Sequence, residues 1–160
     1  MVTITVASTF LSLIVALPAF AKVESHKLQS IATKYCFAAQ DPTVDMTFMG
    51  TADCETAPAV KISVGGDASQ IYLNLKDTGY DDVVYWSGEK ENLIYHKDAK
   101  AVSDATKSKW IFKENGQVQM AKKDSKDRTL CLATGGDGGR IITSVCSEPA
   151  DAYTEVWDLV

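Results

Sequence analysis

The interval between two tryptophans is the sequence feature that most constrains the fold of this chain. About 47 residues separate Trp110 from Trp157, and a similar step back from Trp110 leads to Val60. A period of about 20 to 50 residues is the signature of a repeat architecture. We therefore expect three similar units, which span about residues 22–63, 64–112 and 113–160.

Each unit contains four short apolar segments that are separated by turn-rich segments. Tyr, Val, Ile and Trp recur in the apolar segments, as half-buried strands require. Residues 97–109 are the best helical candidate, but their composition is that of a loop. Twelve short strands in three units predict a closed all-β architecture with one shared core. The predicted strands are 28–32, 34–38, 44–49 and 59–64, then 70–75, 83–87, 92–96 and 109–112, then 117–121, 129–133, 140–145 and 155–160.

The N-terminal segment has the pattern of an export signal. Residues 1–21 contain no charged side chain, and their apolar stretch ends at Ala19-Phe20-Ala21, which fits a small-x-small cleavage site. We predict a secretory signal peptide that is cut before Lys22, and therefore a secreted, extracellular protein. An N-terminal anchor or a buried first strand is the alternative.

Charge excludes some classes of partner. The formal net charge is −5, and all charged residues follow the predicted cleavage site. Nucleic acid and anionic membrane surfaces both reward basic patches, so neither is expected as a partner. We predict a single domain at residues 22–160, and we expect it to be a monomer.

The cysteines agree with export. Four cysteines permit three pairings, and the sequence alone does not choose among them. Their spacing suggests two local disulfides, each of which would close a loop of about 15 to 19 residues. Each such bridge would stabilise the folded state by about 3 kcal/mol. Zinc is disfavoured because no Cys-x-x-Cys occurs and neither histidine is spaced as a ligand beside a cysteine, so no metal or cofactor is predicted. The cysteines are Cys36, Cys54, Cys131 and Cys146.

The third unit contains a set of short motifs, which are Cys131-Leu132, Gly135-Gly136, Ile141-Ile142, Cys146 and the closing Glu155-Val156-Trp157. The second unit shares the closing Ser108-Lys109-Trp110, and the first shares Tyr35-Cys36-Phe37 and Pro58-Ala59-Val60. These motifs resemble the repeats of the ricin B-type lectin family, which folds as a β-trefoil. The resemblance implies a β-trefoil of three four-stranded repeats, with the two cysteines of a repeat bonded to each other.

The sugar-binding positions implied by the resemblance are altered. Family repeats carry an Asp after Cys-Leu, an aromatic platform two residues before the second Cys, and a closing Gln. Without these groups, the first and third units cannot bind a sugar in the family's way. The residues at these three positions are Ala38, Ala52 and Pro58 in the first unit, and Ala133, Ser144 and Glu155 in the third.

The second unit holds the richest polar and aromatic set. A carbohydrate site needs an apolar ring face and planar polar groups that fix hydroxyls. Strand alternation places Tyr85 and Trp86 on opposite faces, so at least one belongs to the core. His96 can equally be a hydrogen-bonded strand residue and Asp82 a turn residue. The candidate ligand-binding residues are Asp82, Tyr85, Trp86, Asn92 and His96.

Two functions are compatible with these patterns. The first is a secreted, non-catalytic, lectin-like protein that binds a glycan through one or two degenerate sites. The second is a trefoil that has lost sugar binding and whose loops bind a secreted or host protein, as a hydrolase inhibitor or host-interaction effector does. An enzyme is not expected, because no nucleophile can be paired with a base.

Overall fold

A computed structural model describes residues 26–65, 68–75, 81–135, 139–151 and 154–160. The predicted signal peptide, residues 1–21, lies outside these ranges. Among the described residues, two short 3₁₀ helices, Ala99–Ala101 and Ala105–Ser108, accompany the strands, and no helix is long and apolar enough to cross a membrane. The strands are β1 (Leu28–Ser30), β2 (Cys36–Ala39), β3 (Met49–Ala52), β4 (Ala59–Gly65), β5 (Ala68–Asn74), β6 (Asp82–Trp86), β7 (Ile94–Asp98), β8 (Trp110–Phe112), β9 (Val118–Met120), β10 (Leu130–Thr134), β11 (Ile141–Val145) and β12 (Trp157–Leu159).

Six of the strands close a barrel. The antiparallel pairs β4–β5, β5–β8, β8–β9 and β12–β1 form most of its wall. Two bridges complete the ring, one between His26 and Val60 and one between Gln117 and Val156. The wall therefore runs β1, β4, β5, β8, β9, β12 and back to β1.

The other six strands form three hairpins, β2–β3, β6–β7 and β10–β11. Each hairpin bridges the other two, so the three surround a common axis. A six-stranded barrel with three such hairpins is a β-trefoil, which confirms the predicted all-β fold and its twelve strands. The residue limits of the three units stay a prediction. The bridges are Phe48 with Tyr95, Gly50 with Arg140, and Leu93 with Ile142.

One hydrophobic core fills the barrel, and the repeated tryptophans belong to it. Trp157 donates its indole N–H to the Leu132 carbonyl at 2.9 Å, and Trp110 donates to the Val84 carbonyl at 3.3 Å. A buried indole needs such an acceptor. Val60 is also fully buried in this core. The other core residues are Leu28, Phe37, Met49, Ile71, Leu73, Trp86, Ile94, Val118, Met120, Leu130 and Ile141.

A second, smaller apolar cluster lies outside the main core. It consists of Cys36, Ala38 and Ala57, against which Ala52 and Cys54 pack. Cys36 is disulfide-bonded to Cys54, and the other disulfide joins Cys131 to Cys146. Each bridge thus joins the first strand of a hairpin to the chain just beyond its second strand.

The third strand of the first unit differs from its prediction. Residues 44–49 were expected to be extended, but the strand forms at Met49–Ala52. The preceding residues fold into a loop, because Thr47 Oγ1 donates to the Asp41 carbonyl at 2.7 Å and Met46 adopts a φ of 63°. The apolar run therefore lies on the surface, with Val44 50% exposed.

Strands β2 and β7 each start two residues later than predicted, and both shifts have a local cause. Lys34, with a φ of 64°, and Asn92, with a φ of 54°, adopt the left-handed conformation, which ends strand geometry. The 97–109 loop contains the two 3₁₀ helices, whose first turns are capped by the Asp98 and Asp104 carboxylates.

Candidate functional site

The closing tryptophans align the second and third units residue by residue. Because they donate to Val84 and Leu132, these two residues are equivalent. The next residues are then equivalent as well, namely Tyr85 and Ala133. Tyr85, rather than Trp86, therefore occupies the position at which the resemblance expects a sugar-binding Asp.

Strand pairing locates the platform position in the same way. The platform position is the one at which the family carries an aromatic residue. In each unit it lies on the second strand of the hairpin, opposite the residue that precedes the equivalent of Val84 or Leu132. In the second unit this position is Lys97, the residue after the candidate ligand-binding residue His96. The pairs are Cys36 with Ala52, Val83 with Lys97, and Cys131 with Ser144.

In the third unit, the position that corresponds to the family's sugar-binding site is closed by side chains of the same unit. Glu155 is almost fully buried, and its carboxylate accepts hydrogen bonds from the Ser144 hydroxyl at 3.0 Å and the Ser147 N–H at 3.0 Å. Gln117 Nε2 donates to the same carboxylate at 3.1 Å. A buried carboxylate with this many donors is satisfied and has no need of a ligand.

The equivalent site of the second unit is filled by Tyr85, which is only 7% exposed. The ammonium groups of Lys97 and Lys107 lie 5.3 and 5.7 Å from the centre of its ring, in cation–π range. Ser108, at the closing position, is buried and accepts from Gln70 Nε2 at 2.9 Å. Among the described residues, these contacts cover the Tyr85 side chain.

The equivalent site of the first unit is open. A cavity of about 520 Å³ lies there, a size typical of small-ligand sites. Ala38, Ala52 and Pro58, the three residues at the sugar-binding positions, all line it. Its floor is the outer surface of the smaller apolar cluster. The other described lining residues are Ala39, Pro42, Glu55, Thr56, Ala57, Ala59, Asn74 and Leu75.

Three polar side chains border this first-unit cavity, namely Glu55, Thr56 and Asn74. The Asn74 Oδ1 atom is buried and has no hydrogen-bond partner, although buried polar atoms are normally paired. Thr56 donates its hydroxyl hydrogen to the Asp53 carbonyl at 3.1 Å, which leaves its oxygen able to accept. The cavity thus combines an apolar floor with acceptors at its edge.

The five predicted second-unit residues are divided among four places. Trp86 lies in the main core at 2% exposure, and Tyr85 fills the closed second-unit site. Asp82 and His96 lie together, with the Asp82 Oδ2 atom 3.7 Å from His96 Nδ1. Asn92 is exposed and lines a separate cavity. The structure therefore does not assemble these residues into one sugar site.

The cavity beside Asn92 is smaller and more polar, with a volume of about 240 Å³ between the β6–β7 turn and the β9–β10 loop. Glu89 accepts from both the N–H and the hydroxyl of Ser125 at 2.5 Å, which ties the two segments together. In the same wall, the hydrogen bond from the Arg128 guanidinium lowers the pKa of the Asp124 carboxyl below its usual value. This wall is therefore charged and internally paired.

The first-unit cavity was missed by the sequence reasoning. Small residues at all three family positions were read as a lost site, whereas in the fold they leave a space. The sequence did contain one indication of the cavity. The side chains at the three family positions are small in the first unit, whereas at least one of them is large in each of the other two units. Sequence alone could not show that Asn74, from β5, borders the same space.

Comparison with known proteins supports the fold. No protein-family profile matches the sequence, and no curated protein matches it. The fold is similar to the β-trefoil lectin of the Vibrio vulnificus hemolysin/cytolysin, solved with N-acetyl-D-lactosamine bound. The TM-score is 0.61 at 14% identity, and the match covers 85% of this chain and 93% of that chain. At this identity the similarity establishes a shared β-trefoil fold.

Proposed function

We propose that the protein is a secreted, non-catalytic, lectin-like binding protein that takes a carbohydrate in the first-unit cavity. The observation that carries the proposal is the contrast among the three equivalent positions. Tyr85 fills the second, the Glu155 network closes the third, and the first opens onto about 520 Å³. The two disulfides suit an extracellular location, where such bonds persist.

The chemistry of the cavity suits one face of a sugar ring. A pyranose presents C–H groups on its face and hydroxyls around its edge. In the cavity, the methyl groups of Ala38 and Ala52 and the ring of Pro58 would contact the C–H face. Glu55 and Thr56 would accept hydrogen bonds from the hydroxyls. The solved neighbour is a lectin with a bound disaccharide, which adds support for this ligand class.

The proposal predicts that filling the cavity abolishes glycan binding. In Ala52→Leu the added side chain occupies the cavity, and we expect binding at least about tenfold weaker, equivalent to about 1.4 kcal/mol. The matched control is Lys97→Leu, which introduces the same residue at the equivalent position of the second unit. A glycan array would identify the ligand, and titration calorimetry would then compare the two variants.

Two results would reject this assignment. One is an array on which no glycan binds, and the other is a ligand whose affinity is equal in Ala52→Leu and the wild type. If Asn92→Ala weakens binding instead, the smaller cavity between the β6–β7 turn and the β9–β10 loop is the site. A second variant, Glu55→Gln, removes the rim carboxylate while keeping the shape of the side chain.

A protein partner is the second candidate function, and one observation favours it. The loop between β2 and β3 exposes Val44 at 50% and Met46 at 37%, beside the cavity residue Pro42. Exposed apolar side chains grouped in a loop are typical of interaction sites. Pull-down from host or substrate extracts, with protease-inhibition assays, tests this function. A partner that is retained by the wild type and lost in Val44→Ser/Met46→Ser would support it.

A further inference from the structure

A buried histidine on β7 faces two carboxylates. His96 is 1% exposed, and its Nδ1 atom has no hydrogen-bond partner. Asp82 Oδ2 lies 3.7 Å from this nitrogen, and the Asp45 carboxylate completes a group whose ligand atoms all lie within 4.8 Å of one another. We call this group the Asp45–Asp82–His96 cluster.

The hydrogen bonds on the other side of the ring determine its tautomer. Thr47 donates its hydroxyl hydrogen to the Asp41 carbonyl at 2.7 Å, so its oxygen is an acceptor toward the ring. His96 Nε2 lies 2.7 Å from that oxygen and 3.2 Å from the same carbonyl. Both neighbours accept, so Nε2 carries the hydrogen. In the neutral ring, Nδ1 is then a lone pair that faces carboxylate oxygens.

A lone pair directed at carboxylate oxygens is repulsive unless a proton or a metal cation lies between them. We propose that the Asp45–Asp82–His96 cluster binds a divalent transition-metal cation, for which Zn²⁺ is the probe. Imidazole nitrogen and carboxylate oxygen are ligands that Zn²⁺ accepts, with water able to complete the coordination. This inference is independent of the proposed carbohydrate binding.

The distances suit such an ion after a small adjustment. In tetrahedral geometry, zinc bonds of about 2.0–2.2 Å place two ligand atoms about 3.3–3.6 Å apart. Asp82 Oδ2 and His96 Nδ1, at 3.7 Å, are close to this separation, and the ligand atoms of the whole cluster lie within 4.8 Å of one another. Asp45 is exposed and lies on a loop, where its Oδ1 atom accepts from the Asp98 N–H at 3.1 Å, and its carboxylate would supply the remaining movement.

The backbone holds all three ligands in place. Asp82 and His96 lie on the paired strands β6 and β7. The loop that carries Asp45 is attached to β7 by the bonds from Met46 N–H to the His96 carbonyl at 3.1 Å and from His96 N–H to the Thr47 carbonyl at 3.3 Å. The Nε2–H bond fixes the ring from behind, as the second partner of a metal-binding histidine commonly does.

Binding at this cluster would join two units of the trefoil. Asp45 belongs to the first unit, while Asp82 and His96 belong to the second. The same loop carries Pro42, which lines the first-unit cavity. A bound cation would therefore hold the wall of that cavity against the second unit.

Titration calorimetry on the purified protein, stripped of metal with a chelator, tests the inference. We expect one Zn²⁺ ion per chain and a higher Tm with zinc than without. Asp45→Asn and Asp82→Asn should each weaken zinc binding by at least about tenfold, since even supporting residues of metal sites contribute about 10–100-fold. Asp81→Asn is the matched control, because it removes one nearby charge from outside the cluster.

A spectroscopic measurement separates zinc binding from simple charge attraction. The chain contains two histidines, so the ¹⁵N signals of His96 can be assigned against those of His26. Without metal, we expect the ¹⁵N signals of His96 to show hydrogen on Nε2 alone. With zinc, we expect the ¹⁵N chemical shift of His96 Nδ1 to change. The proposal is overturned if zinc does not bind, if Asp45→Asn binds zinc as tightly as Asp81→Asn does, or if zinc leaves the His96 Nδ1 signal unchanged.

Discussion

Single residues decide which of the three equivalent positions is open. Tyr85 and Glu155 fill two of them, whereas Ala38 and Ala52 leave the third as a cavity. Volume matters as much as polarity here, because a ligand site needs space before it needs hydrogen bonds. A residue that lacks the family's functional group can therefore still contribute to a binding site by being small.

Asp124 illustrates a residue whose charge organises a loop. Its nearly buried carboxylate accepts from Arg128 Nε at 2.7 Å and from the N–H groups of Lys126 at 2.9 Å and Arg128 at 2.8 Å. These bonds favour the charged form. The pKa of Asp124 therefore lies below its ordinary value of 3.8, with the Arg128 side-chain hydrogen bond as the largest cause.

A pH-dependent stability follows from that lowered pKa. The contribution of Asp124 is complete above the ordinary value of 3.8, and it is lost as pH falls through the lower folded-state value. Asp124→Asn should thus lower the Tm at pH 6, and its difference from the wild type should shrink toward pH 2. Thermal unfolding across this range measures it. Asp127→Asn, at a side chain 86% exposed, is the control, and equal effects of the two variants would contradict the prediction.

At the scale of elements, the fold depends on three hairpins that meet at close range. Gly50, on β3, bridges Arg140 at the start of β11. A Cβ atom on Gly50 would overlap the backbone carbonyl oxygen of Gly139. Backbone cannot move aside as a flexible side chain can, so the glycine is required by contact between two hairpins.

Gly50→Ala should therefore destabilise the protein by about 1–3 kcal/mol, the usual range for forced overpacking. Gly139→Ala is the matched control, because a Cβ atom there meets no atom within 4 Å. Urea unfolding of both variants measures the difference in free energy of unfolding. Comparable midpoints for Gly50→Ala and the wild type would show that the hairpins are not packed this closely.

At the scale of the whole molecule, the last strand closes the barrel against the first. Lys27 and Val160 exchange two backbone hydrogen bonds, at 2.7 and 2.9 Å, and Ser30 pairs with Trp157. β12 also brings Trp157 into the core. Barrel closure and core packing thus depend on the same short segment.

A chain that ends at Val156 should fail to unfold cooperatively. It lacks β12, leaves the edge of β1 unpaired and removes a buried tryptophan, a loss of about 3–5 kcal/mol before any effect on closure. Circular dichroism during heating would detect the missing transition. Leu159→Ala, at a residue 37% exposed, should change stability by about 0.5 kcal/mol or less. A cooperative transition in the truncated chain would show that closure is dispensable.

Local patterns along the chain predict part of this structure. Strand alternation, turn residues and the recurrence of Trp110 and Trp157 were enough to predict twelve strands in a closed all-β fold, because these signals act over a few residues or repeat along the chain. The resemblance of the third-unit motifs to ricin B-type repeats implied the trefoil. The tertiary structure alone decided that the first-unit cavity is open and that Asp45, Asp82 and His96 meet. Such sites join residues that are distant in sequence, and their geometry depends on packing between units.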